Sequence, residues 1–380
     1  MTIPFNPEDA LGADWRDARW LGRIDRGEGP CPVLVVGGIV HDMARVAPTV
    51  AELVANGAFD AAAGEPIGAL DAIGVSVDGA VRLLSPIDLQ CVKAAGVTFA
   101  VSAMERVIEE RARGDAGAAA DVRARLEGRI GGSMRAVSPG SPEAAALKQA
   151  LIDEGLWSQY LEVAIGPDAE IFTKGPPLST VGWGAAVGIR SDSTWNNPEP
   201  EVVLLVAPDG RAVGATLGND VNLRDFEGRS ALLLGKAKDN NASCSLGAFV
   251  RLFDDHFTMD DVRQAEISLR IEGTDGYTLD GASSMNQISR DPEELVRQAL
   301  SEHDYPDGFV LFLGTLFAPT QDRDVPGQGF THKVGDTVAI ATPRLGRLVN
   351  PVTTSKDAPA WRFGLTALIR NLASRGLLSA

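Results

Sequence analysis

From Glu170 onward the chain consists mainly of short β segments separated by glycine, proline and aspartate turns, and this pattern limits the possible folds most. The predicted strands are Glu201–Val206, Ala212–Leu217, Ala265–Ile271, Gly308–Gly314 and Thr337–Thr342. Helices interrupt them only occasionally, and the absence of regular βαβ alternation argues against a doubly wound parallel sheet. We therefore predict an α+β fold of mainly β character, a mixed β roll or sandwich.

The first part of the chain has a different pattern, rich in alanine and in helix signals. One predicted helix covers Val46–Asn56. Another begins after Ser141, because a capping hydroxyl stands there before a proline at the first helical position, and it is expected to run to about Glu154. A chain of 380 residues is long enough for more than one domain. We divide it into a smaller N-terminal α+β domain, residues 1–165, and a β-roll domain, residues 166–380.

Three other segments in the chain carry helix or loop signals. Glu105, Glu109 and Arg113 recur at four-residue spacing, which is typical of a solvated helix face. The alanine- and arginine-rich stretch 114–140 is predicted to be a surface excursion. At the C-terminus, a helix is predicted over Asp357–Arg375.

Composition argues against several classes of protein. The 51 acidic residues exceed the 35 basic ones, and the resulting net charge of -16 repels phosphate backbones, so nucleic acid is not an expected partner. The apolar stretch Val33–Val40 is too short to cross a bilayer, and no membrane association is expected. Cys31, Cys91 and Cys244 lie far apart without CxxC spacing, which is typical of free thiols in a reducing compartment. We expect a cytoplasmic protein.

Two glutamates, Glu199 and Glu201, stand at the start of the strongly apolar segment Val202–Val206. Residues two apart on a strand point to the same face, so both carboxylates are expected to project together. Two neighbouring carboxylates repel each other unless a positive charge lies between them. A hard cation such as Mg²⁺ or Mn²⁺ prefers oxygen ligands of this kind, and the spacing therefore favours a metal site.

A third carboxylate, Asp220, reaches the same point only in one register of the following hairpin. The chain turns at Pro208–Gly210. If the loop has an even number of residues, paired positions sum to 419, and Asp220 lies opposite Glu199 because 199 + 220 = 419. A type I turn with a glycine bulge gives an odd loop and places Asp220 on the other face, unless Gly218-Asn219 adds a second irregularity. Both registers remain open from the sequence.

Each candidate residue also has a simpler structural explanation. The pair Glu199 and Glu201 could flank a surface turn, with Asp220 capping the next one. Lys238 could bring a cation close to the carboxylates, or it could be a solvated lysine. Glu170 begins a strand-like segment and is a candidate for a further ligand or a general base, while the alternative is an acid at a strand edge.

Other binding and catalytic motifs find little support. The glycine-rich segment Gly182–Gly188 does not match GxGxxG and opens no helix, so a Rossmann site is rejected. The four histidines form neither HExxH nor an i,i+4 pair, which argues against a histidine zinc site; they are His41, His256, His303 and His332. No GxSxG elbow supports a Ser-His-Asp triad.

The ordered motifs resemble the fumarylacetoacetate hydrolase family over at least Glu170 to about Asn350. The resemblance rests on Glu199-Pro200-Glu201, on Gly218-Asn219-Asp220 with Arg224-Asp225, and on an Ala-Lys segment leading to Leu246-Gly247. It implies the β roll of that family and a homodimer or a dimer of dimers.

The resemblance also implies roles for individual residues. Glu199, Glu201 and Asp220 match the family's ligands for Mg²⁺, with Mn²⁺ and Ca²⁺ as alternatives. The site lysine of the family falls on Lys238, because Ala237-Lys238 and the following Ser-Cys-Ser-Leu-Gly match better than a placement on Lys236.

Two further positions match parts of the family's substrate site. Glu170 matches an acid before a Phe-x-Lys strand that reaches the site. Gly314-Thr315 matches a late Gly-Thr whose hydroxyl and amide hold the substrate carboxylate.

Within the family, the chain is similar to the longer sugar-acid branch, the 2-keto-3-deoxy-pentonate dehydratases. The segments that carry this narrower resemblance are Trp195–Glu201, Gly235–Cys244, Ser284–Arg290, Phe330–Lys333 and Ala94–Phe99. It implies a magnesium-dependent hydro-lyase that converts a 2-keto-3-deoxy-pentonate of the D-xylonate or D-arabinonate series to 2-oxoglutarate semialdehyde in pentose catabolism. The substrate is then a small 2-keto acid.

On this hypothesis Glu170 is the base that removes a C3 proton, kept ionised by a nearby cation. Lys238 stabilises the developing negative charge or assists proton transfer, and Thr315 orients the carboxylate. The alternatives are a hydrolase or decarboxylase of acylpyruvate-type 2,4-diketo acids and a metabolite-binding protein without catalysis. The His-Glu pair of the family's hydrolases has no convincing counterpart in the chain, which weakens the case for hydrolysis.

Overall fold

The computed structural model describes residues 3–123, 137–315, 317 and 319–378, and strands dominate this part of the chain. The strands, numbered in chain order, are β1 Arg19–Asp25, β2 Pro30–Val36, β3 Ile39–Asp42, β4 Glu65–Ala69, β5 Val75–Ser76, β6 Val81–Leu83, β7 Cys91–Gly96, β8 Glu170–Gly175, β9 Val187–Ile189, β10 Asn196–Asn197, β11 Pro200–Val206, β12 Ala212–Asp220, β13 Asn222–Leu223, β14 Cys244–Leu246, β15 Val250–Leu252, β16 Glu266–Glu272, β17 Thr278–Ser284, β18 Phe309–Phe312, β19 Thr337–Thr342 and β20 Gly346–Thr354.

Within these residues, one 13-stranded sheet contains strands from both halves of the chain. Ten of its strands follow the order β4-β3-β2-β1-β15-β12-β11-β18-β7-β8, while β14 pairs with β12, and β6 pairs with β1 and β5. A five-stranded sheet has the order β17-β16-β19-β20-β9, and β10 pairs with β13. Antiparallel pairs predominate, which confirms a fold of mainly β character without a doubly wound sheet. The division at residue 165 stays a prediction.

Strand β11 lies inside the large sheet and is buried along its whole length. Val202, Leu204 and Val206 pack into one hydrophobic core, and Val203 and Leu205 pack into another on the opposite face. Successive strand residues point to opposite faces, so a continuous apolar run is what a strand covered on both sides requires. The hairpin that begins with this strand is therefore held between two cores.

The helices in the described residues are short. They are α1 Pro7–Leu11, α2 Val50–Ala55, α3 Ala100–Arg111, α4 Pro142–Asp153, α5 Gln159–Ile165, α6 Arg224–Glu227, α7 Leu234–Lys238, α8 Met259–Arg263, α9 Pro292–Leu300 and α10 Leu365–Ser374. The predicted start of α4 is confirmed, since the Ser141 hydroxyl accepts a hydrogen bond from the Ala144 N–H at 3.1 Å. None of the helices in this part of the chain is long and apolar enough to span a membrane.

Two helix predictions are wrong in detail. Glu105 and Glu109 on α3 are buried rather than solvated, because they pair with arginines inside the protein. The C-terminal helix begins at Leu365 instead of Asp357, since the chain first runs through the irregular stretch 358–364. About half of the predicted surface excursion 114–140, namely residues 124–136, lies outside the described residues.

Candidate metal centre and active site

The β11–β12 hairpin places Asp220 directly opposite Glu199. Between Pro200↔Asn219 and Leu205↔Gly214, the paired positions sum to 419, and the Asp220 N–H donates to the Glu199 carbonyl at 3.0 Å. The loop itself is odd, because Val206 pairs with Ala212, but a bulge at the Leu205/Val206 step restores the even register. The irregularity thus lies beside the turn and not at Gly218-Asn219.

Glu199, Glu201 and Asp220 form a compact, buried cluster of carboxylates. Each offers a ligand oxygen, and the three oxygens lie within 4.8 Å of one another. The residues are only 4%, 2% and 1% exposed. Close spacing, burial and purely oxygen donors suit a hard divalent cation, so the described residues contain an acidic triad that can hold a metal ion.

The triad carboxylates repel one another in a site shielded from water. Burial, Asp220 and Glu199 raise the pKa of Glu201 well above its usual value, although the Gly314 N–H donates to its Oε2 at 2.6 Å and opposes the rise. A bound cation would remove the cause of this repulsion. The unfavourable contact is therefore a second reason to assign the triad to metal binding.

Two buried lysines, Lys174 and Lys238, place positive charge next to the Asp220 carboxylate. Lys174 Nζ lies 2.6 Å from Asp220 Oδ1, and Lys238 Nζ lies 3.2 Å from Asp220 Oδ2 and also contacts Glu199. Burial acts to raise the pKa of Asp220, but Lys174 and Lys238 together outweigh it and hold the pKa below its usual range. For Lys238, burial acts to lower the pKa, whereas Asp220, Glu199 and Glu227 raise it beyond its ordinary value. Lys238 is thus a cation at neutral pH.

Helix α3 adds Arg106, a residue of the site that the sequence patterns did not reveal. Its guanidinium lies 2.7 Å from Glu199 Oε1 and 2.8 Å from Glu109 Oε2, and it also contacts Glu227. Glu227 comes from α6 and lies 3.5 Å from Lys238 Nζ. Arg106 and Lys238 therefore share Glu199 and Glu227, which joins the helices to the triad through alternating charges.

Glu170, the first residue of β8, faces the same space. It pairs with Gly96 on β7, and a Cβ at Gly96 would lie only 2.1 Å from Glu170 Oε2, so a side chain at position 96 would displace this carboxylate. Burial raises the pKa of Glu170, and Arg106 and Lys238 only partly offset this rise. The nearby cations expected from the sequence are present, but they do not keep the pKa at its ordinary value.

The predicted substrate-binding pair lies at the end of β18. Gly314 adopts a positive φ of 97°, and the Thr98 hydroxyl donates to the Leu313 carbonyl at 2.6 Å. A Cβ at Gly314 would lie 2.0 Å from Thr98 Oγ1, so the backbone packs too closely for any other residue. The Gly314 N–H donates a hydrogen bond to the Glu201 carboxylate, and the Thr315 hydroxyl donates to the Phe317 carbonyl at 2.9 Å.

A cavity lies between these elements. The predicted site residues that line it are Glu170, Glu199, Glu201, Asp220, Lys238 and Thr315. Gly314 lies behind its wall, whereas Lys236 is exposed and points to the Phe226 ring instead. Lining residues that the sequence patterns missed include Arg106, Glu227, Tyr160 and Ser102. No histidine is among the lining residues within the described ranges.

The sequence was compared with models of known protein families. Residues 156–353 match the model described as fumarylacetoacetate (FAA) hydrolase C-terminal. The chain belongs to the fumarylacetoacetate hydrolase family. The family resemblance seen in the motifs is thereby confirmed, and the fold class with it.

Two curated relatives of the chain carry dehydratase names. The chain is 34% identical over 195 residues to a "Probable 2-keto-3-deoxyxylonate dehydratase" of Haloferax volcanii, which covers 51% of the chain and 64% of that protein. It is 30% identical over 186 residues to a "2-dehydro-3-deoxy-D-arabinonate dehydratase" of Saccharolobus solfataricus, covering 48% and 58%. Both matches thus span less than two thirds of the relative's own length.

A solved structure shares the fold over a longer range. It is a 2-keto-3-deoxy-D-arabinonate dehydratase complexed with magnesium and 2,5-dioxopentanoate, 20% identical, with a TM-score of 0.63. The match covers 88% of this chain and 99% of that one. The shared fold therefore extends over most of the chain.

Proposed function

We propose that this protein is a magnesium-dependent hydro-lyase that converts a 2-keto-3-deoxy-pentonate to 2,5-dioxopentanoate, which is 2-oxoglutarate semialdehyde. The observation that carries the proposal is one cavity lined by an acidic triad, a carboxyl group with a raised pKa and a buried ammonium group. The dehydratase names of both curated relatives support the substrate class. Mn²⁺ and Ca²⁺ are the alternative ions.

Glu199, Glu201 and Asp220 would hold the ion, since their oxygens converge within 4.8 Å in a buried site. When bound there, a divalent ion supplies Lewis-acid charge that lowers the energy of an enolate. Lys174 and the Gly314 N–H fix the orientation of Asp220 and Glu201 from outside the cavity. The protein thus presents the ligand oxygens in a fixed arrangement before substrate arrives.

Glu170 takes the C3 proton of the substrate in this proposal. A raised pKa suits a group that must accept a proton and return it near neutral pH. Loss of the C4 hydroxyl as water then requires a proton from the site, and tautomerisation through C5 gives the aldehyde. The net change is the loss of one water molecule.

The two cations that line the cavity have separate tasks. Lys238, kept protonated by Asp220, Glu199 and Glu227, stabilises the negative charge that develops when the proton leaves. Arg106 lies on the α3 side of the cavity, where its guanidinium can pair with the substrate carboxylate or with a hydroxyl group. Thr315, in the segment after β18, holds the carboxylate, as the family resemblance implies.

A coupled assay tests the proposal. The purified protein is incubated with each C4 epimer of 2-keto-3-deoxy-pentonate, with Mg²⁺ or with EDTA, and the aldehyde product is measured by an NAD(P)-dependent aldehyde dehydrogenase. We expect semialdehyde with Mg²⁺ and none with EDTA. Pyruvate from an acylpyruvate would instead indicate the alternative hydrolase, which the absence of a lining histidine disfavours. Binding without turnover of any 2-keto acid would indicate a metabolite-binding protein.

We also propose a cytoplasmic homodimer or dimer of dimers. The three cysteines Cys31, Cys91 and Cys244 are free thiols, which supports a reducing compartment. Light scattering of the purified protein measures the mass of the assembly directly, and a mass of about one chain would contradict the proposal.

A further inference from the structure

The Ser284–Arg290 motif has no part in the chemistry described above, yet it contacts the segment that leads into Glu170. This connecting segment, residues 166–169, joins the end of α5 to the start of β8 and has no regular secondary structure. Its path therefore determines where Glu170 enters the cavity. What holds this segment also determines the position of the proposed base.

The Arg290 side chain binds main-chain carbonyls of the connecting segment and of the last turn of α5. The side chain is 1% exposed and donates to four carbonyls, those of Gly166 at 2.7 Å, Val163 at 2.8 Å, Asp168 at 3.2 Å and Pro167 at 3.4 Å. A guanidinium has five donors in a planar fork, whereas an ammonium has three on a single atom. Nη2 faces the carbonyls of residues 163, 166 and 168, and Nη1 faces that of Pro167, so lysine would offer one nitrogen where arginine uses two.

Helix α9 fixes the last residue before Glu170. The side-chain oxygen of Gln298 accepts from the Ala169 N–H at 2.7 Å, and its nitrogen donates to the Pro167 carbonyl at 3.3 Å and to Glu294 at 2.9 Å. A helix is a rigid support, so the connecting segment cannot shift without breaking these bonds. The side chain of Gln298 is half-buried, which makes it open to substitution without loss of a core contact.

The same motif also reaches the start of α3. The Ser289 N–H and hydroxyl both donate to the Thr98 carbonyl, at 2.8 and 2.7 Å, and the Thr98 hydroxyl in turn binds Leu313 next to Gly314. The motif therefore ties together the three chain segments that bring Glu170, Arg106 and Thr315 to the cavity.

We propose that Arg290 and Gln298 are positioning residues, which act through the connecting segment to hold Glu170 at its place beside Gly96. This inference rests on the proposed function only in taking Glu170 as the base. Glu170 Oε2 lies against Gly96, in the space that a Cβ of residue 96 would fill, and a displaced connecting segment would move the carboxylate out of this contact. A shift of about 1 Å in a catalytic group can cost about 100-fold in rate.

The test compares Arg290→Lys and Gln298→Ala with a control variant, Arg297→Ala. Arg297 is an exposed residue of α9, the helix that carries Gln298. We expect kcat to fall by about 100-fold in Arg290→Lys and by about 10-fold in Gln298→Ala, with KM changed less than about twofold. Mn²⁺ affinity should stay unchanged. Hydrogen exchange should become faster in peptides that cover residues 166–175 but not in the β11–β12 hairpin. The control should match the wild type in all four measurements.

Unchanged kcat in both variants would overturn the proposal. So would a loss of kcat accompanied by faster exchange in the hairpin as well, because that result indicates general destabilisation. If the wild type dehydrates neither pentonate epimer, the proposed function is wrong, and exchange over residues 166–175 alone then decides whether Arg290 and Gln298 hold the segment.

Discussion

Replacing Glu201 with glutamine should stabilise the metal-free protein while removing its response to metal. Glutamine is nearly isosteric, and its carbonyl can still accept the Gly314 N–H. Two unit charges 4.8 Å apart repel each other by about 3 kcal/mol at an effective dielectric constant of 20. Glu201 has two such neighbours, but the positive charge of Lys238 offsets part of the repulsion. We expect a net gain in unfolding free energy of about 1–3 kcal/mol.

With metal bound, the wild type should gain stability that Glu201→Gln does not. An ion present at about 100 times its Kd stabilises the wild type by about 2.7 kcal/mol through binding to the folded state alone. Glu201→Gln loses a charged ligand and should show little of this gain. Urea unfolding of both proteins in EDTA and in saturating Mg²⁺, followed by fluorescence, gives the four free energies.

Glu266→Gln, at an exposed position on β16, controls for the loss of one negative charge and should leave both values unchanged. The reasoning fails if Glu201→Gln is less stable than the wild type in EDTA. It fails equally if the variant keeps the full gain in Mg²⁺, because the triad would then not be the metal site.

Two further predictions concern other carboxyl groups. Glu170→Gln should lower kcat by about 100-fold or more while leaving Mn²⁺ affinity intact, and full turnover would show that Glu170 is not the base. Although burial acts to raise it, Arg323 and His332 hold the pKa of Asp336 at about 2, below its ordinary 3.8. A lowered carboxyl pKa stabilises the folded state above the unfolded value, and that stabilisation is lost as pH falls toward 2. Asp336→Asn should therefore lower the unfolding free energy at pH 7 by roughly 2 kcal/mol, and an unchanged urea midpoint would contradict this.

The hairpin shows how far a sequence pattern can predict a site. The pairing of Glu199 with Asp220 follows from counting residues only if the loop parity is known, and the parity depends on a bulge. Here the loop has an odd number of residues, which alone would place Asp220 on the opposite face. The bulge at Leu205/Val206 shifts the register by one residue and restores the pairing of Glu199 with Asp220. Backbone conformations beside a glycine turn are close in energy, which is why the sequence left both registers open.

Arg106 and Glu227 escaped prediction for a different reason. On α3, charges at three- and four-residue spacing look the same whether the face meets water or other charges. Burial of Glu109 and Arg106 depends on α6, which lies more than a hundred residues away in the chain. A charged helix next to an apolar strand is the pattern that could have indicated a buried network.

The double burial of β11 has a consequence for changing the substrate range of this protein. Each residue from Val202 to Val206 packs into one of two cores, so a substitution there alters packing before it alters chemistry. The cavity wall formed by α3 and residues 224–238 includes the apolar residues Ala231 and Leu234 and is held mainly by charge pairs. Libraries intended to accept longer or differently branched acids should therefore vary the apolar residues of this helical wall and leave its charged residues and the hairpin intact.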